Sequence, residues 1–211
     1  KQEQDQWHAV GHEIMSPLQS LMALHGAAGD PSGRYIARMQ QAVRVLYGQA
    51  SPSEAFAATT LAIGSLDLDA FLGHVAGNAP YIGIDGVVFT SAGTPLLVHA
   101  DEHSLEDVVG HVLRNADRHR LPGTPIRITL QADAAEARVA VHNQGAPIAA
   151  DMLERIFEYG VSEAPDAAAL GQRGQGLFVA RTYMAKMGGT VAAANADCGV
   201  VFTLVLPRAP G

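Results

Sequence analysis

The chain has 211 residues, is 48% hydrophobic and carries a formal charge of -7 at pH 7. The acidic balance disfavours nucleic acid as the main partner, because phosphate backbones attract basic surfaces. No apolar run reaches the roughly 18 residues needed to span a membrane, and the lone cysteine, Cys198, excludes an intrachain disulfide framework and fits a reducing, cytoplasmic compartment. The polar opening, Lys1 to Gln6, has no signal-peptide pattern and reads as a cut from a longer chain, the fragment itself making no membrane contact.

From residue 2 to about 26 the spacing predicts one helix, since Trp7, Val10, Ile14, Leu18, Leu21 and Leu24 make a single apolar stripe. The turn formers of Gly26 to Gly33 end it, and Ile36, Met39, Val43 and Leu46 make a second stripe. The two helices form an antiparallel α hairpin too small to cover its own stripes, so a homodimer closing a four-helix bundle is expected. Ser51, Pro52 and Ser53 mark a break, and the domains are placed at 1–55 and 56–211.

His12 lies two residues before Ile14, about 200° around the helix from the stripe, and is expected on the wet face. Glu13 adjoins it, Ser16 follows one turn later, and Pro17 should bend the helix by clashing with the Glu13 carbonyl. Neutral imidazole is a nucleophile, and a neighbouring carboxylate can take its proton. Alone, the segment fits an ordinary surface histidine with a chance acid beside it better, since the chain has nine histidines.

Beyond the break the pattern mixes strands and helices. Strands are expected at 87–90, 96–99, 126–130, 138–142, 190–193 and 200–206, and helices at about 67–77, 102–119, 150–157 and 176–187. This order suggests an α/β sandwich, with helices on one face of a mixed sheet. The stretch 159–175 is long for a loop and is expected to act as a lid.

There is no Walker loop, G-x-x-x-x-G-K-[ST]. Three other features line up. In helix 102–119, His111 and Asn115 share a face; an Asn carbonyl oxygen suits Mg²⁺, and Arg118 could neutralise phosphate. At a strand end, Asn143 followed by Gly145 would let the backbone approach a flat base. Gly171 to Leu177 leads into a helix whose exposed N–H groups favour phosphate. Each feature alone is weak, and their order and spacing carry the weight.

The combination resembles the bacterial sensor histidine kinase core, a dimerisation and phosphotransfer hairpin followed by the GHKL (Bergerat) ATP-binding fold shared with gyrase and mismatch-repair ATPases. HEIMSPL at 12–18 resembles the phosphoacceptor box, HVLRNADRH at 111–119 the asparagine box, NQGAPI at 143–148 and GQRGQGL at 171–177 the glycine boxes, RIFEYG at 155–160 the phenylalanine box, and GVVFTLVLP at 199–207 the closing strand. The resemblance implies ATP and Mg²⁺ as cofactors, with autophosphorylation of His12, Glu13 as its acid–base partner, and transfer to an Asp of a response-regulator receiver domain. It further implies that Asn115 holds Mg²⁺, that Arg118 and His119 lie near the phosphates, and that Asn143 and Gly145 face adenine. Gly174, Gly176 and Leu177 would close over the phosphates, and Thr203 would line the base pocket.

Four positions depart from the family pattern. Asn143 stands where Asp is usual, which leaves an uncharged acceptor for the adenine amino group. Pro147 replaces a common glycine. His111 stands where the family's first Asn usually lies and where hydrolytic relatives place a water-activating Glu, which favours transfer to protein over plain hydrolysis. Ser16 stands where Thr or Asn often supports phosphatase action on the partner and keeps a hydroxyl. Asn143 and Pro147 also fit an alternative, a non-catalytic regulator that dimerises with or sequesters a signalling partner.

Overall fold

In the computed structural model the described residues are 60–158, 161, 176–196 and 198–209, and they belong to a compact unit that begins at Thr60. The expected hairpin with His12, Glu13 and Ser16, most of the stretch 159–175, and Gly174 lie outside them.

The chain enters as strand β1 (Gly64–Asp67) and helix α1 (Leu68–Asn78), then a 3-10 turn at Ala79–Ile82, β2 (Val87–Phe89) and β3 (Leu97–Ala100). Helix α2 (Glu102–His119), β4 (Ile126–Ala132) and β5 (Glu136–Gln144) follow, and α3 (Gly176–Lys186), β6 (Thr190–Ala196) and β7 (Gly199–Pro207) complete the unit. Five strands form one sheet in the order β2-β4-β5-β7-β6, with β2 parallel to β4 and every other pair antiparallel. Strands β1 and β3 form a separate antiparallel pair.

Period-two burial shows which face the helices cover. On β5, Ala137, Val139, Val141 and Asn143 are buried while the residues between them are not. Opposite them on β7, Val200, Phe202, Leu204 and Leu206 are buried. Helix α2 closes over this face with Leu105, Val108, Val109, Val112, Leu113 and Ala116, all at most 1% exposed. The expected α/β sandwich with a mixed sheet is therefore present.

Two expectations need correction. The segment predicted as helix 150–157 forms turns and a single 3-10 turn, Arg155–Phe157. So few residues cannot offset helix nucleation, and the segment is held instead by burial of Ile156 and Phe157. Strand β1 was not predicted: its four residues, GSLD, show no apolar alternation, and only pairing with β3 makes them a strand.

Helix α2 starts on Asp101, 4% exposed, whose Oδ1 accepts from Ser104 N at 2.9 Å and Oδ2 from Ala62 N at 2.7 Å. One carboxylate thus caps the helix and ties down the entering chain. Asp101→Ala should lower the stability of the unit by about 2 kcal/mol, read as a reduced urea midpoint, with Asn losing less because it keeps one acceptor.

Candidate nucleotide-binding site

On α2 the residues left off the core face include His111, Asn115, Arg118 and His119, at spacings that put them along one side of the helix. His111 and Asn115 are half-buried, whereas Arg118 and His119 are exposed. From His111 to His119 the row runs about 12 Å at 1.5 Å per residue. Each end of it meets a glycine from another element.

At the first end, α3 begins at Gly176 against the His111 ring: a Cβ at residue 176 would lie 2.7 Å from Nδ1. Gly176 therefore lets α3 start beside α2. Arg114 Nη2 lies 3.2 Å from the same Nδ1. A guanidinium only donates, so Nδ1 accepts and the ring proton sits on Nε2. Burial, and then the Arg114 charge, lower the His111 pKa to about 4. The ring is neutral near pH 7, and its one basic nitrogen faces a cation. It is poorly suited to activating water. Leu177, half-buried, follows Gly176 on the first turn of α3.

At the second end, the exit of β5 passes under the end of α2. A Cβ on Gly145 would lie 2.3 Å from the His119 carbonyl oxygen, and Arg120 forms a bridge with Gly145. Leu121 N donates to Gln144 O at 2.8 Å, and Gly145 N to Cys198 O at 3.1 Å. Just before this junction Asn143 is 1% exposed. Its Nδ2 makes a long bond of 3.4 Å to Gln144 O, and among the described residues nothing donates to its Oδ1. An amide oxygen is thus held at the edge of the core with acceptor capacity for a ligand N–H.

The predicted residues do not all converge. Thr203 pairs with Ala140, whereas Asn143 pairs with Val200. The pleat therefore puts Thr203 on the opposite face of the sheet from Asn143, and Val200 stands beside Asn143 instead. Of RIFEYG, Ile156 and Phe157 lock onto the core, whereas Arg155 and Glu158 are exposed. Phe157, 2% exposed, meets Phe202 edge to face at 6.1 Å, Arg181 of α3 lies 5.8 Å over its ring, and Arg181 pairs with Glu154 at 3.6 Å. Sequence reading missed one further residue, Asn195 on β6, whose side chain bonds both backbone groups of Ile148 at 2.8 Å. A polar residue in an alanine-rich edge strand carried no signal of this.

The donor set bears on the metal. Among the described residues no three His, Cys, Asp or Glu side chains gather to hold an ion. A single amide oxygen, Asn115, suits Mg²⁺ that takes its remaining ligands from phosphates and water.

Two outcomes follow. Because the His111 pKa is depressed from 6.5 to about 4, the unfolded chain binds a proton that the folded one refuses. Its contribution is full above pH 6.5 and is lost as pH falls toward 4. Wild type should lose about 2 kcal/mol more than His111→Gln over that window in urea titrations. Separately, Gly145→Ala should lower Tm more than Gly176→Ala, since the first drives a methyl into backbone and the second into a ring that can turn.

Residues 100–210, more than half of the chain, match the family model of histidine kinase-, DNA gyrase B- and HSP90-like ATPases. The sensor histidine kinase ZraS of Escherichia coli O157:H7 is 29% identical over 211 residues, covering 94% of this chain and 44% of its own length. The sensor histidine kinase CusS of the same organism is 31% identical over 124 residues, covering 58% of this chain and 26% of its own length. The chain thus spans less than half the length of these relatives. Among solved structures, the catalytic domain of histidine kinase ThkA superposes with a TM-score of 0.61 at 24% identity, covering 70% of this chain and 97% of that one. Full-length ShkA in complex with AMPPNP gives 0.63 at 22% identity, covering 98% and 46%. At these identities the two structures establish the fold. The chain belongs to the histidine kinase-, DNA gyrase B- and HSP90-like ATPases, and the unit from Thr60 onward has their α/β ATP-binding fold.

Proposed function

We propose that this protein is a two-component sensor histidine kinase that moves the γ-phosphoryl group of ATP to His12 and then to an Asp of a response-regulator receiver domain. The observation that carries this reading is the row along α2, with Asn115 between two glycine junctions and a buried Asn143 beside one of them. Asn143 Oδ1 accepts from the adenine amino group, and Gly145, lacking a Cβ, leaves the base room against the backbone. Asn115 holds Mg²⁺, which neutralises charge between the phosphates when bound. Arg118 and His119, exposed one turn further on, face the phosphates with Gly174, Gly176 and Leu177.

In the transfer step a His12 ring nitrogen attacks the γ-phosphorus in line. The bond to the bridging oxygen breaks, ADP leaves, and Glu13 takes the ring proton. The hairpin 1–55 supplies the homodimer, and Ser16 supports phosphatase action on the partner. These residues work in the cytoplasm. His111 favours transfer over hydrolysis, because a neutral ring whose basic nitrogen already accepts from Arg114 makes a poor base for water.

The test is labelling of the full chain with γ-labelled ATP, in parallel with ADP titration. Wild type should take up label. His12→Gln should lose it entirely while binding ADP as tightly as wild type. Label on the variant would place the acceptor elsewhere, and ADP binding by wild type without any label would support the non-catalytic regulator instead.

A further inference from the structure

Asn143, at the proposed base site, is linked through the sheet to a second asparagine, Asn195. Asn143 on β5 pairs with Val200 on β7, and Val200 pairs with Asn195 on β6. All three side chains therefore leave the same face of the sheet. With strands about 4.8 Å apart, the two asparagines stand about 10 Å from each other across Val200. The chain leaves β5 after Gln144 and comes back to this row at Ile148, where Asn195 Oδ1 accepts from Ile148 N and Asn195 Nδ2 donates to Ile148 O, both at 2.8 Å. The segment 145–148 thus arches from one asparagine to the other.

That arch has few other handles. Gly145 N is held by Cys198 O, and Pro147 has no N–H to offer. A side-chain amide presents a donor and an acceptor side by side, as the backbone of one more strand would. Asn195 sits on β6, which among the described residues is the edge of the sheet, with no further strand paired to it. Aspartate has the same shape but would set a carboxylate against the Ile148 carbonyl, and serine has a single hydroxyl.

We propose that Asn195 is a positioning residue for base recognition: by holding Ile148 it sets the span between the arch and Asn143, and so the preference for adenine. This rests on the nucleotide reading given above. It assigns Asn195 no contact with the nucleotide.

The experiment is calorimetric titration of the full chain with ADP and with GDP, for wild type, Asn195→Ala and Asn195→Asp. Loss of two neutral hydrogen bonds should weaken ADP binding about tenfold, and the ADP-to-GDP preference should shrink by a similar factor. Asn195→Asp should behave like the alanine variant despite its matching shape. A merely structural residue would lower Tm and weaken both nucleotides alike, so an unchanged ADP-to-GDP ratio in Asn195→Ala overturns the proposal. Wild type that binds neither nucleotide would sink the nucleotide reading itself, whereas wild-type binding with an unaltered variant ratio would sink the role of Asn195 alone.

Discussion

Leu105, Val108, Val109, Val112, Leu113 and Ala116 press α2 onto the face of the sheet carried by Val139, Val141, Phe202 and Leu204, and this contact sets the rotation of the helix about its own axis. Each residue turns a helix by about 100°, so a roll of one position would carry the whole row, His111, Asn115 and His119 together, away from the junctions with Gly176 and Gly145. Such a roll would expose side chains whose burial is worth about 1.5 to 3 kcal/mol each. The polar row is therefore placed by apolar residues buried in the core. The Asp101 cap fixes where the helix begins, and close passage of Gly145 and Gly176 fixes what meets its two ends.

The polar groups at the edge of this core behave according to their surroundings. Asn143 is almost wholly buried yet stays uncharged, so the cost of desolvation is that of an amide and not of a carboxylate. His111 is held neutral by burial and by Arg114. Neither group puts a charge into the site's interior at neutral pH, and at Asn143 this departs from the family's usual Asp. In the proposed reading, phosphate recognition falls to the exposed Arg118 and His119 at the end of α2. Phe157 plays the complementary part: packed on Phe202 and under Arg181, it anchors the chain just before the stretch that leads to α3.

Legibility from sequence followed the source of the signal. The helix predicted at 102–119 is α2 residue for residue, because its apolar stripe is long and its cap is explicit. Strands β5 and β7 were readable from alternation, although both extend further at each end than the alternation alone indicated. Strand β1 and the turn at Arg155–Phe157 were misread because pairing and burial, not local pattern, decide their form. Thr203 was assigned to the base pocket by its place in a motif, and a period of two sends it to the other face.

By itself the sequence determined the class of fold, the family boxes and their order, since these live in composition, periodicity and short motifs that survive without coordinates. It also marked Asn143 and His111 as departures from the family pattern. Only the tertiary structure decided which of those residues meet. It brought Gly176 to His111, Gly145 to the end of α2, and Asn195 to Ile148, which is 47 positions away along the chain. Contacts of that kind are set by strand register and helix rotation, and register depends on the packing of every strand at once.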